Sequence, residues 1–276
     1  MTLTEIKSVC QQYDLTPSKS KGQNFLIEES VVGKIIEGAK LQPDDIVLEV
    51  GPGLGVLTVE LLKNCKKVIA VELDRKAAAY LQTKFASEIK NGRLELVEKN
   101  ILDLNLGELG LKNFGYKIVS NLPYNITSFF LRRFLETEIK PAEMVLMLQK
   151  EVAERILSKI GQMNLLAFSA QFFSKPSILF NVSRGCFWPE PKIDSAVICL
   201  KLNKKLPEVN QKSLFRLVKI GFSAKRKQLH NNLANGLSIK SGKIKEIFKD
   251  FGWREDVRAQ DLGVEDWIAL LDKITD

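Results

Sequence analysis

The chain has 276 residues, 45% of them hydrophobic, and a formal net charge of +8. This length is sufficient for one large domain and one small one with a substantial core. No apolar run approaches the ~20 residues of a membrane span. The N-terminus also lacks the basic start and apolar stretch of a signal peptide. We therefore expect a cytoplasmic protein that does not associate with membranes.

Cysteine and histidine usage excludes several kinds of site. The four cysteines, Cys10, Cys65, Cys186 and Cys199, form no C-x-x-C pair, which argues against a zinc site and against a disulfide framework. His230 is the single histidine. A metal centre built on histidines and a Ser-His-Asp triad are therefore both disfavoured, and we expect no metal.

The positive charge is concentrated near the C-terminus. From Asn203 onward the chain carries fifteen Lys and Arg against ten Asp and Glu. A basic excess of this kind favours an anionic partner, although basic surfaces are often only solvated faces.

The chain begins with a helix and a polar, basic segment. Thr2-x-x-Glu5 fits a capping box for a helix that runs to about Tyr13. The segment 16–26 is too rich in Ser, Lys and Gly for a regular element, but its final Phe25-Leu26 pair is apolar and suited to anchor it to the body. A second helix is predicted over Ser30–Ala39.

The stretch that follows predicts the first unit of a doubly wound sheet. Ile46–Val50 is a short apolar run typical of a buried parallel strand, and the glycine-rich turn 51–55 follows at once. Val56–Leu62 has a helical pattern, Lys67–Val71 is a second strand, and Glu72 stands where that strand ends. Strand, glycine turn, helix, strand and terminal acid are the parts of a nucleotide-binding unit.

The glycine turn and the acid suit a nucleoside ligand. Glycines let the backbone approach a ligand closely, and the helix that follows offers free N–H groups. A carboxylate at Glu72 is placed to accept hydrogen bonds from both ribose hydroxyls. The spacing is G-x-G-x-G rather than the dinucleotide G-x-G-x-x-G. With Glu49 in front, it resembles the first motif of S-adenosylmethionine methyltransferases more closely, although glycine turns also occur as plain tight connections.

The remaining elements complete the sheet. We predict strands over Leu94–Glu98, Tyr116–Ser120 and Met144–Leu148, and an antiparallel pair over Leu165–Phe173 and Ser195–Leu202. Helices are predicted over Lys76–Glu88, Ser128–Glu138 and Lys150–Ile160, and Phe187–Lys192 is a loop rigidified by two prolines.

A domain boundary is predicted near Leu206-Pro207, because the pattern beyond it is helical throughout. The predicted helices are Gln211–Gly221, Lys227–Asn235, Ser241–Phe251 and Val264–Ile274. The fold class is therefore α/β, with a Rossmann-like sheet over residues 1–204, in which residues 1–30 cover the cofactor and substrate site, and a small helical domain over 205–276.

The ends of the parallel strands predict the site. Each strand delivers its last residues to one crevice, and in chain order these are Gly51, Glu72, Asn100 and Asn121. The first three suit a nucleoside and its tail. The fourth begins Asn121-Leu122-Pro123-Tyr124, which suits an amine substrate.

The Asn-Leu-Pro-Tyr tetrapeptide predicts catalysis on adenine. The Asn121 side-chain oxygen and the Leu122 carbonyl can each accept one hydrogen of an adenine N6 amine and aim its lone pair at a methyl donor. Pro123 fixes the backbone, and Tyr124 offers a face for stacking. Such catalysis works by orientation and desolvation. A thiol nucleophile would have to stand at a strand end, and no cysteine does.

Five motifs in order make the chain resemble the KsgA family of small-subunit rRNA adenine dimethyltransferases across essentially its whole length. They are Lys21–Leu26, Glu49–Gly55, Val71–Asp74, Ser120–Ile126 and Phe187–Ala196. The resemblance implies S-adenosylmethionine-dependent N6,N6-dimethylation of two adjacent adenosines in the 3′-terminal hairpin loop of 16S rRNA. The implied partner is small-subunit rRNA or the immature small ribosomal subunit, and we expect a monomer.

The resemblance also assigns roles to residues. It places Asn24 and Leu26 over the cofactor, Gly51 and Gly53 under its methionine part, and Glu72 with Leu73 at its nucleoside. Asn121 would face both the cofactor and the target base. Asn100 stands where the family commonly has Asp, in contact with the adenine and its N6 amine, and Asp103 is the residue best placed to take over that contact.

Other candidate residues keep two interpretations. Phe187 either stacks on the flipped base, which we favour, or pins its loop. Lys225, Arg226 and Lys227 either follow rRNA phosphates or form a solvated face, and His230 beside them either contacts phosphate or is solvated. Phe129, Phe130 and Phe134 are expected on the buried face of a helix.

The sequence is compatible with two rival functions. An Erm-like enzyme acting on large-subunit rRNA shares the cofactor motifs and the Asn-x-Pro-Tyr loop, but segment 187–196 and the basic tail favour the small subunit. A ribosome-assembly factor that has lost catalysis would keep the fold, but the intact Glu72 and Asn121–Tyr124 argue against it.

Overall fold

A mixed sheet and the helices around it organise the chain in a computed structural model, which describes residues 1–17 and 23–275. The predicted segment 16–26 therefore lies partly outside the described residues, at 18–22. The strands are β1 (Phe25–Leu26), β2 (Ile46–Val50), β3 (Lys67–Glu72), β4 (Leu94–Glu98), β5 (Lys117–Asn121), β6 (Glu143–Gln149), β7 (Ser174–Val182), β8 (Phe187–Trp188) and β9 (Ser195–Leu202).

The α-helices of the described residues alternate with the strands and then continue alone. They are α1 (Leu3–Gln12), α2 (Glu29–Ala39), α3 (Val56–Asn64), α4 (Arg75–Lys84), α5 (Ala86–Lys90), α6 (Thr127–Glu136), α7 (Lys150–Ile156), α8 (Leu165–Phe173), α9 (Gln211–Gly221), α10 (Leu229–Leu237), α11 (Ser241–Asp250) and α12 (Val264–Thr275).

Seven of the described strands form one sheet in the order β4-β3-β2-β5-β6-β9-β7. The five neighbouring strands β2 to β6 run parallel to one another. Strand β9 pairs antiparallel with both β6 and β7. β2 and β3 are buried along nearly their whole length, as their continuous apolar sequences predict. Val50 pairs with Val71. Gly51 and Glu72 therefore leave the sheet side by side at its carboxyl edge.

One predicted strand is wrong. Leu165–Phe173 forms α8 rather than a strand, and the neighbouring segment Ser174–Val182 supplies the strand that pairs with β9. The helix starts here because the Asn164 side-chain oxygen accepts hydrogen bonds from the backbone N–H groups of Leu166 and Ala167, both at 3.1 Å. A short apolar run does not distinguish a strand from a buried helix.

The chain divides into two compact units, and the division differs from the predicted boundary. The first is Met1–Ala153 with Ser174–Lys204, and the second is Glu154–Phe173 with Lys205–Asp276. Residues 154–173, which the sequence analysis assigned to the first domain, thus group with the second unit. Within that unit, Phe215 of α9 packs against Phe168, Phe172 and Phe173 of α8, with ring centroids 5.4–5.6 Å apart.

Close packing in the second unit depends on a glycine. The side chain of Trp267 on α12 is fully buried, and a Cβ placed on Gly221, the last residue of α9, would lie 2.2 Å from its ring. Glycine therefore permits the approach of the two helices.

We expect Gly221→Ala to lower the free energy of unfolding by about 1–3 kcal/mol in urea titrations, since the added methyl group forces α9 and α12 apart. Gly242→Ala on α11 is the matched control, because nothing lies within 4 Å of its added Cβ. That variant should gain about 0.5–1 kcal/mol from helix propensity. Equal stabilisation in both variants would show that the helices are free to move apart.

Candidate functional site

The predicted strand-end residues line one cavity within the first unit. It lies at the carboxyl edge of the parallel strands, where the turns after β2, β3, β4 and β5 meet. Of the residues that the sequence analysis assigned to the cofactor and to catalysis, all line it: Asn24, Leu26, Gly51, Gly53, Glu72, Leu73, Asn100, Asn121, Leu122, Pro123 and Tyr124.

The glycine turn after β2 is shaped for close approach. Gly51 and Gly53 have φ angles of +65° and +57°, a region that residues with a Cβ rarely adopt. A Cβ on Gly51 would lie 3.3 Å from Pro123 Cγ, and one on Gly53 would lie 3.3 Å from Phe25 Cε1. These glycines therefore let the turn pack against two other segments of the cavity wall.

Glu72 lies beneath this turn. Its carboxylate accepts hydrogen bonds from the Gly53 N–H at 3.0 Å and the Asp74 N–H at 2.8 Å. Burial raises the pKa of Glu72, and these backbone N–H groups act in the opposite direction. Each carboxylate oxygen has a second lone pair, so the group can still accept hydrogen bonds from a ligand.

A second buried acid, Glu49 of β2, was given no chemical role by the sequence. It lines the cavity and accepts a 2.7 Å hydrogen bond from the Thr58 hydroxyl on α3. Burial raises the pKa of Glu49 to about 8, although the Thr58 hydrogen bond lowers it. The signal that identifies it is an acid inside the apolar run Ile46–Val50.

The Asn121–Tyr124 tetrapeptide is held on several sides. The Leu122 N–H donates to the Met147 carbonyl of β6 at 3.1 Å. The Tyr124 hydroxyl lies 2.7 Å from the hydroxyl of Ser195, a fully buried residue of β9. Burial raises the pKa of Tyr124, so the phenol stays neutral, and the contact with Ser195 holds its hydroxyl in place.

Asn121 is positioned from both sides of the cavity. Its side-chain Nδ2 lies 3.5 Å from the Asn24 carbonyl of the N-terminal segment. Within the described residues its side-chain oxygen accepts no hydrogen bond, so that oxygen is available to a substrate amine. The preceding residue, Ser120, donates from its hydroxyl to the Val50 carbonyl at 2.6 Å and so ties the ends of β5 and β2 together.

The N-terminal segment reaches the cavity through a small second sheet. β1 pairs antiparallel with β8, with Phe25 opposite Trp188 and Leu26 opposite Phe187. Two motifs far apart in sequence, 21–26 and 187–196, are thus neighbours in the fold. Lys21 and Gly22 of the first motif lie outside the described residues.

Phe187 is placed differently from the favoured interpretation. Only 3% of its surface is exposed, and it packs in the core of the first unit with Leu26. The structure contradicts base stacking by this ring and agrees with the alternative that it pins its loop. Strand pairing of β8 turns the side chain inward, and the sequence alone does not reveal this.

The expectation for three other phenylalanines is only partly met. Phe130 and Phe134 of α6 are fully buried, but Phe129 has 68% of its surface exposed. Successive residues of a helix point about 100° apart, so a neighbour of a buried position is readily turned to solvent.

The basic residues near the C-terminus also differ from prediction. Lys225, Arg226 and Lys227 lie exposed in the turn before α10, not within a helix. His230 is buried, with Nδ1 2.8 Å from the Ser241 hydroxyl and Nε2 2.8 Å from the Gln228 side-chain oxygen. His230 is therefore a structural residue, because both ring nitrogens are bonded within the protein.

The described residues contain neither a metal-binding cluster nor a membrane-spanning helix. In residues 1–17 and 23–275, no cluster of three or more His, Cys, Asp and Glu could hold a metal ion. Over the same ranges, no helix has the length and apolar composition that crossing a membrane requires.

The sheet order, with a cavity at the carboxyl ends of the parallel strands, defines a Rossmann-like α/β fold. The sequence profile of the ribosomal RNA adenine dimethylase family matches residues 16–276. The chain therefore belongs to the ribosomal RNA adenine dimethylase family, as its motifs predict.

Individual relatives agree. "Ribosomal RNA small subunit methyltransferase A" of Dehalococcoides mccartyi is 41% identical over 270 residues, which cover 97% of this chain and 92% of the relative. The protein of the same name from Clostridioides difficile is 36% identical over 271 residues, covering 96% and 93%.

Solved structures support the fold. A dimethyladenosine transferase from Plasmodium falciparum superposes with a TM-score of 0.79 at 27% identity, over 91% of this chain and 97% of that one. The 23S rRNA methyltransferase ErmE gives a TM-score of 0.74 at 23% identity, over 92% and 100%. The second likeness bears on the fold alone.

The raised pKa of Glu49 predicts a pH dependence of stability. With its pKa raised to about 8, Glu49 retains its proton in the folded chain up to about that pH, whereas a freely solvated glutamate has a pKa of 4.5. The folded state thus binds more protons than the unfolded one between these pH values, and its stability falls as the pH rises through this window. The loss from this group is of the order of a few kcal/mol.

We expect Glu49→Gln to remove this loss, because a neutral amide can still accept the Thr58 hydrogen bond. Urea titrations should give similar stabilities for parent and variant near pH 5 and a more stable variant at pH 8. Glu60→Gln on the half-exposed side of α3 is the control and should follow the parent at both pH values. Parallel pH profiles for Glu49→Gln and the parent would contradict a proton held by Glu49.

Proposed function

We propose that this protein transfers methyl groups from S-adenosylmethionine to N6 of two adjacent adenosines in the 3′-terminal hairpin loop of small-subunit rRNA. The observation that carries the proposal is that one cavity is lined by a glycine turn with a buried acid and by the Asn-Leu-Pro-Tyr segment. The glycine turn and the buried acid suit a nucleoside cofactor, and the Asn-Leu-Pro-Tyr segment suits an exocyclic amine. The names of the curated relatives support the small subunit as substrate.

The cavity residues fit S-adenosylmethionine. Gly51 and Gly53 line the cavity and carry no Cβ, so the backbone of this turn can approach the amino-acid part of the cofactor closely. The buried Glu72 carboxylate suits two vicinal ribose hydroxyls, and the largely exposed Leu73 offers an apolar contact for the base. When bound, the cofactor supplies a methyl group attached to a sulfonium, which is an electrophile.

The residues of the tetrapeptide orient the acceptor nitrogen. The Asn121 side-chain oxygen and the Leu122 carbonyl accept the two N6 hydrogens of adenine, which makes the nitrogen pyramidal and frees its lone pair. Tyr124 holds the base by stacking, with its own hydroxyl anchored on Ser195. These oxygens are hydrogen-bond acceptors and not strong bases, so the rate depends on orientation and on exclusion of water. The N6 nitrogen bonds the methyl carbon as the bond from that carbon to sulfur breaks, and the methylated nitrogen then releases one proton to water.

RNA recognition follows from the same geometry. A base must leave its stack to reach a cavity of this kind, and a single-stranded hairpin loop releases it at least cost. We propose that the enzyme acts in the cytoplasm as a monomer on immature small subunits. The exposed turn 225–227 would contact phosphates, which position RNA without reading its sequence.

The two rivals make different predictions in one assay. Small ribosomal subunits and large-subunit rRNA, both lacking the modification, are incubated with the protein and radiolabelled S-adenosylmethionine, and the products are mapped by mass spectrometry. Dimethyladenosine in the 3′-terminal hairpin of the small subunit supports the proposal. Label in large-subunit rRNA would favour the Erm-like activity, and no label in either would favour a non-catalytic assembly factor.

We expect Glu72→Ala and Asn121→Ala to separate cofactor binding from turnover. Glu72→Ala should weaken S-adenosylmethionine binding by about 1.5–3 kcal/mol, the range for hydrogen bonds to a charged group. Asn121→Ala should leave that affinity nearly unchanged but reduce kcat by about a hundredfold or more, since its contact forms with the reacting amine. Titration calorimetry and single-turnover methylation measure the two effects, and a reversed pattern would overturn the assignment.

The basic turn before α10 should act through phosphates. Replacing all three residues of Lys225–Lys227 with Ala should weaken binding to small subunits and reduce the slope of log affinity against log salt by about one per lost phosphate contact. Affinity for S-adenosylmethionine should not change. Replacing Lys240, Lys243 and Lys249, which are also exposed and lie in the same unit, is the control for net charge. If both triple variants lose affinity equally, the turn is only part of a general basic surface.

A further inference from the structure

The turn that follows β4 contains a pair of side chains that the proposed mechanism does not use. Asn100 lines the cavity, and its side-chain Nδ2 donates a 2.8 Å hydrogen bond to Oδ2 of Asp103. Asp103 itself is exposed and is not part of the cavity lining. From the sequence, Asp103 is predicted to take over the contact of an acid at position 100, but in the structure Asp103 is the hydrogen-bond partner of Asn100.

The hydrogen bonds determine which way the Asn100 amide points. Its oxygen accepts from the Leu102 N–H at 3.1 Å, while its nitrogen donates to the Asp103 carboxylate. A flipped amide would place its oxygen against a carboxylate and its NH₂ group against an N–H, so both contacts would become repulsive. The orientation is therefore fixed, and the oxygen keeps one lone pair for a ligand.

The backbone of this turn is held independently of that amide. The Asp103 N–H donates to the Asn100 carbonyl at 3.1 Å, and the side chains of Ile101 and Leu104 are buried. From α6, Arg133 donates to the Leu102 carbonyl at 2.7 Å and to the Leu104 carbonyl. Because the backbone is fixed in this way, the orientation of the Asn100 side chain is the feature that Asp103 controls.

We propose that Asp103 is a positioning residue that holds the Asn100 oxygen towards the 6-amino group of the cofactor's adenine. This inference rests on the proposed function. Asn100 and Asp103 then work as a unit that needs one amide and one carboxylate. The carboxylate supplies the charge outside the cavity, and the neutral amide contacts the base.

Next to Asp103, an acid at position 100 is unfavourable. Although the family commonly has Asp there, Asn100→Asp in this chain would place two carboxylates at hydrogen-bond distance. Like charges so close disfavour ionisation of both groups and push the side chains apart. The exchange Asn100→Asp with Asp103→Asn restores one donor and one carboxylate in the same turn.

Titration calorimetry with S-adenosylhomocysteine tests the proposal without turnover. We expect Asn100→Asp to raise the Kd at least tenfold, Asp103→Asn to raise it severalfold, and the double exchange to return it to within about threefold of the parent. Asn105→Asp is the matched control, because it adds the same charge on the same segment outside the cavity lining. That control should bind like the parent.

The affinity for a second ligand distinguishes recognition of the adenine 6-amino group from a merely structural effect of the pair. S-Inosylhomocysteine has an oxygen in place of the 6-amino group, so it lacks the donor that the Asn100 oxygen would accept. The parent and the double exchange should prefer S-adenosylhomocysteine by about tenfold, and Asp103→Ala should lose most of that preference. Thermal unfolding of each variant without ligand checks that it is folded.

The outcomes distinguish this inference from the proposed function. If the parent binds S-adenosylhomocysteine but Asn100→Asp binds as tightly or more tightly, the pair has no positioning role and the inference is wrong. An unchanged preference in folded Asp103→Ala overturns it equally. If the parent binds neither ligand, the proposed function is wrong, and so is the recognition of adenine by this pair.

Discussion

The buried carboxylate of Glu72 is the group on which the rest of the site depends. Removing a carboxylate from water costs several kcal/mol unless other donors replace the lost solvent. Here the donors are backbone N–H groups of Gly53 and Asp74, at 3.0 and 2.8 Å. The two bonds fasten the glycine turn after β2 to the start of α4. The position of the turn and the charge beneath it are therefore set together, and a change in one alters the other.

The small sheet of β1 and β8 adds a second constraint. It brings Phe25 over the glycine turn, where a Cβ on Gly53 would lie 3.3 Å from its ring. Gly53 is thus required both for its positive φ and for the fit of the N-terminal segment. The aromatic ring of Phe187 contributes by anchoring β8 in the core, since it is buried there. Burial of Phe187 serves the cavity indirectly, by holding the segment that covers it.

Much of the cavity could be predicted because parallel strands end at one edge, so Gly51, Glu72 and Asn121 follow from strand periodicity alone. What the pattern does not contain is the direction of individual side chains. Phe129 and Phe130 are adjacent and equally apolar, yet one is exposed and the other buried. His230 stands in a polar run but finds two partners, Gln228 and Ser241, that make burial acceptable. Local composition describes each segment, whereas its burial depends on the segments packed against it.

Catalysis by orientation makes the contacts between the two halves of the cavity as important as the residues in each. Three such contacts join the turns after β2 and β4, on the proposed cofactor side, to β5 and α6, on the substrate side. Pro123 packs on Gly51, the Ser120 hydroxyl bonds the Val50 carbonyl at 2.6 Å, and Arg133 bonds the turn after β4. An error of about 1 Å in the placement of reacting groups can cost about a hundredfold in rate. Because no strong base contributes to the proposed mechanism, the rate depends on these contacts, which fix the distance between the methyl donor and the acceptor nitrogen.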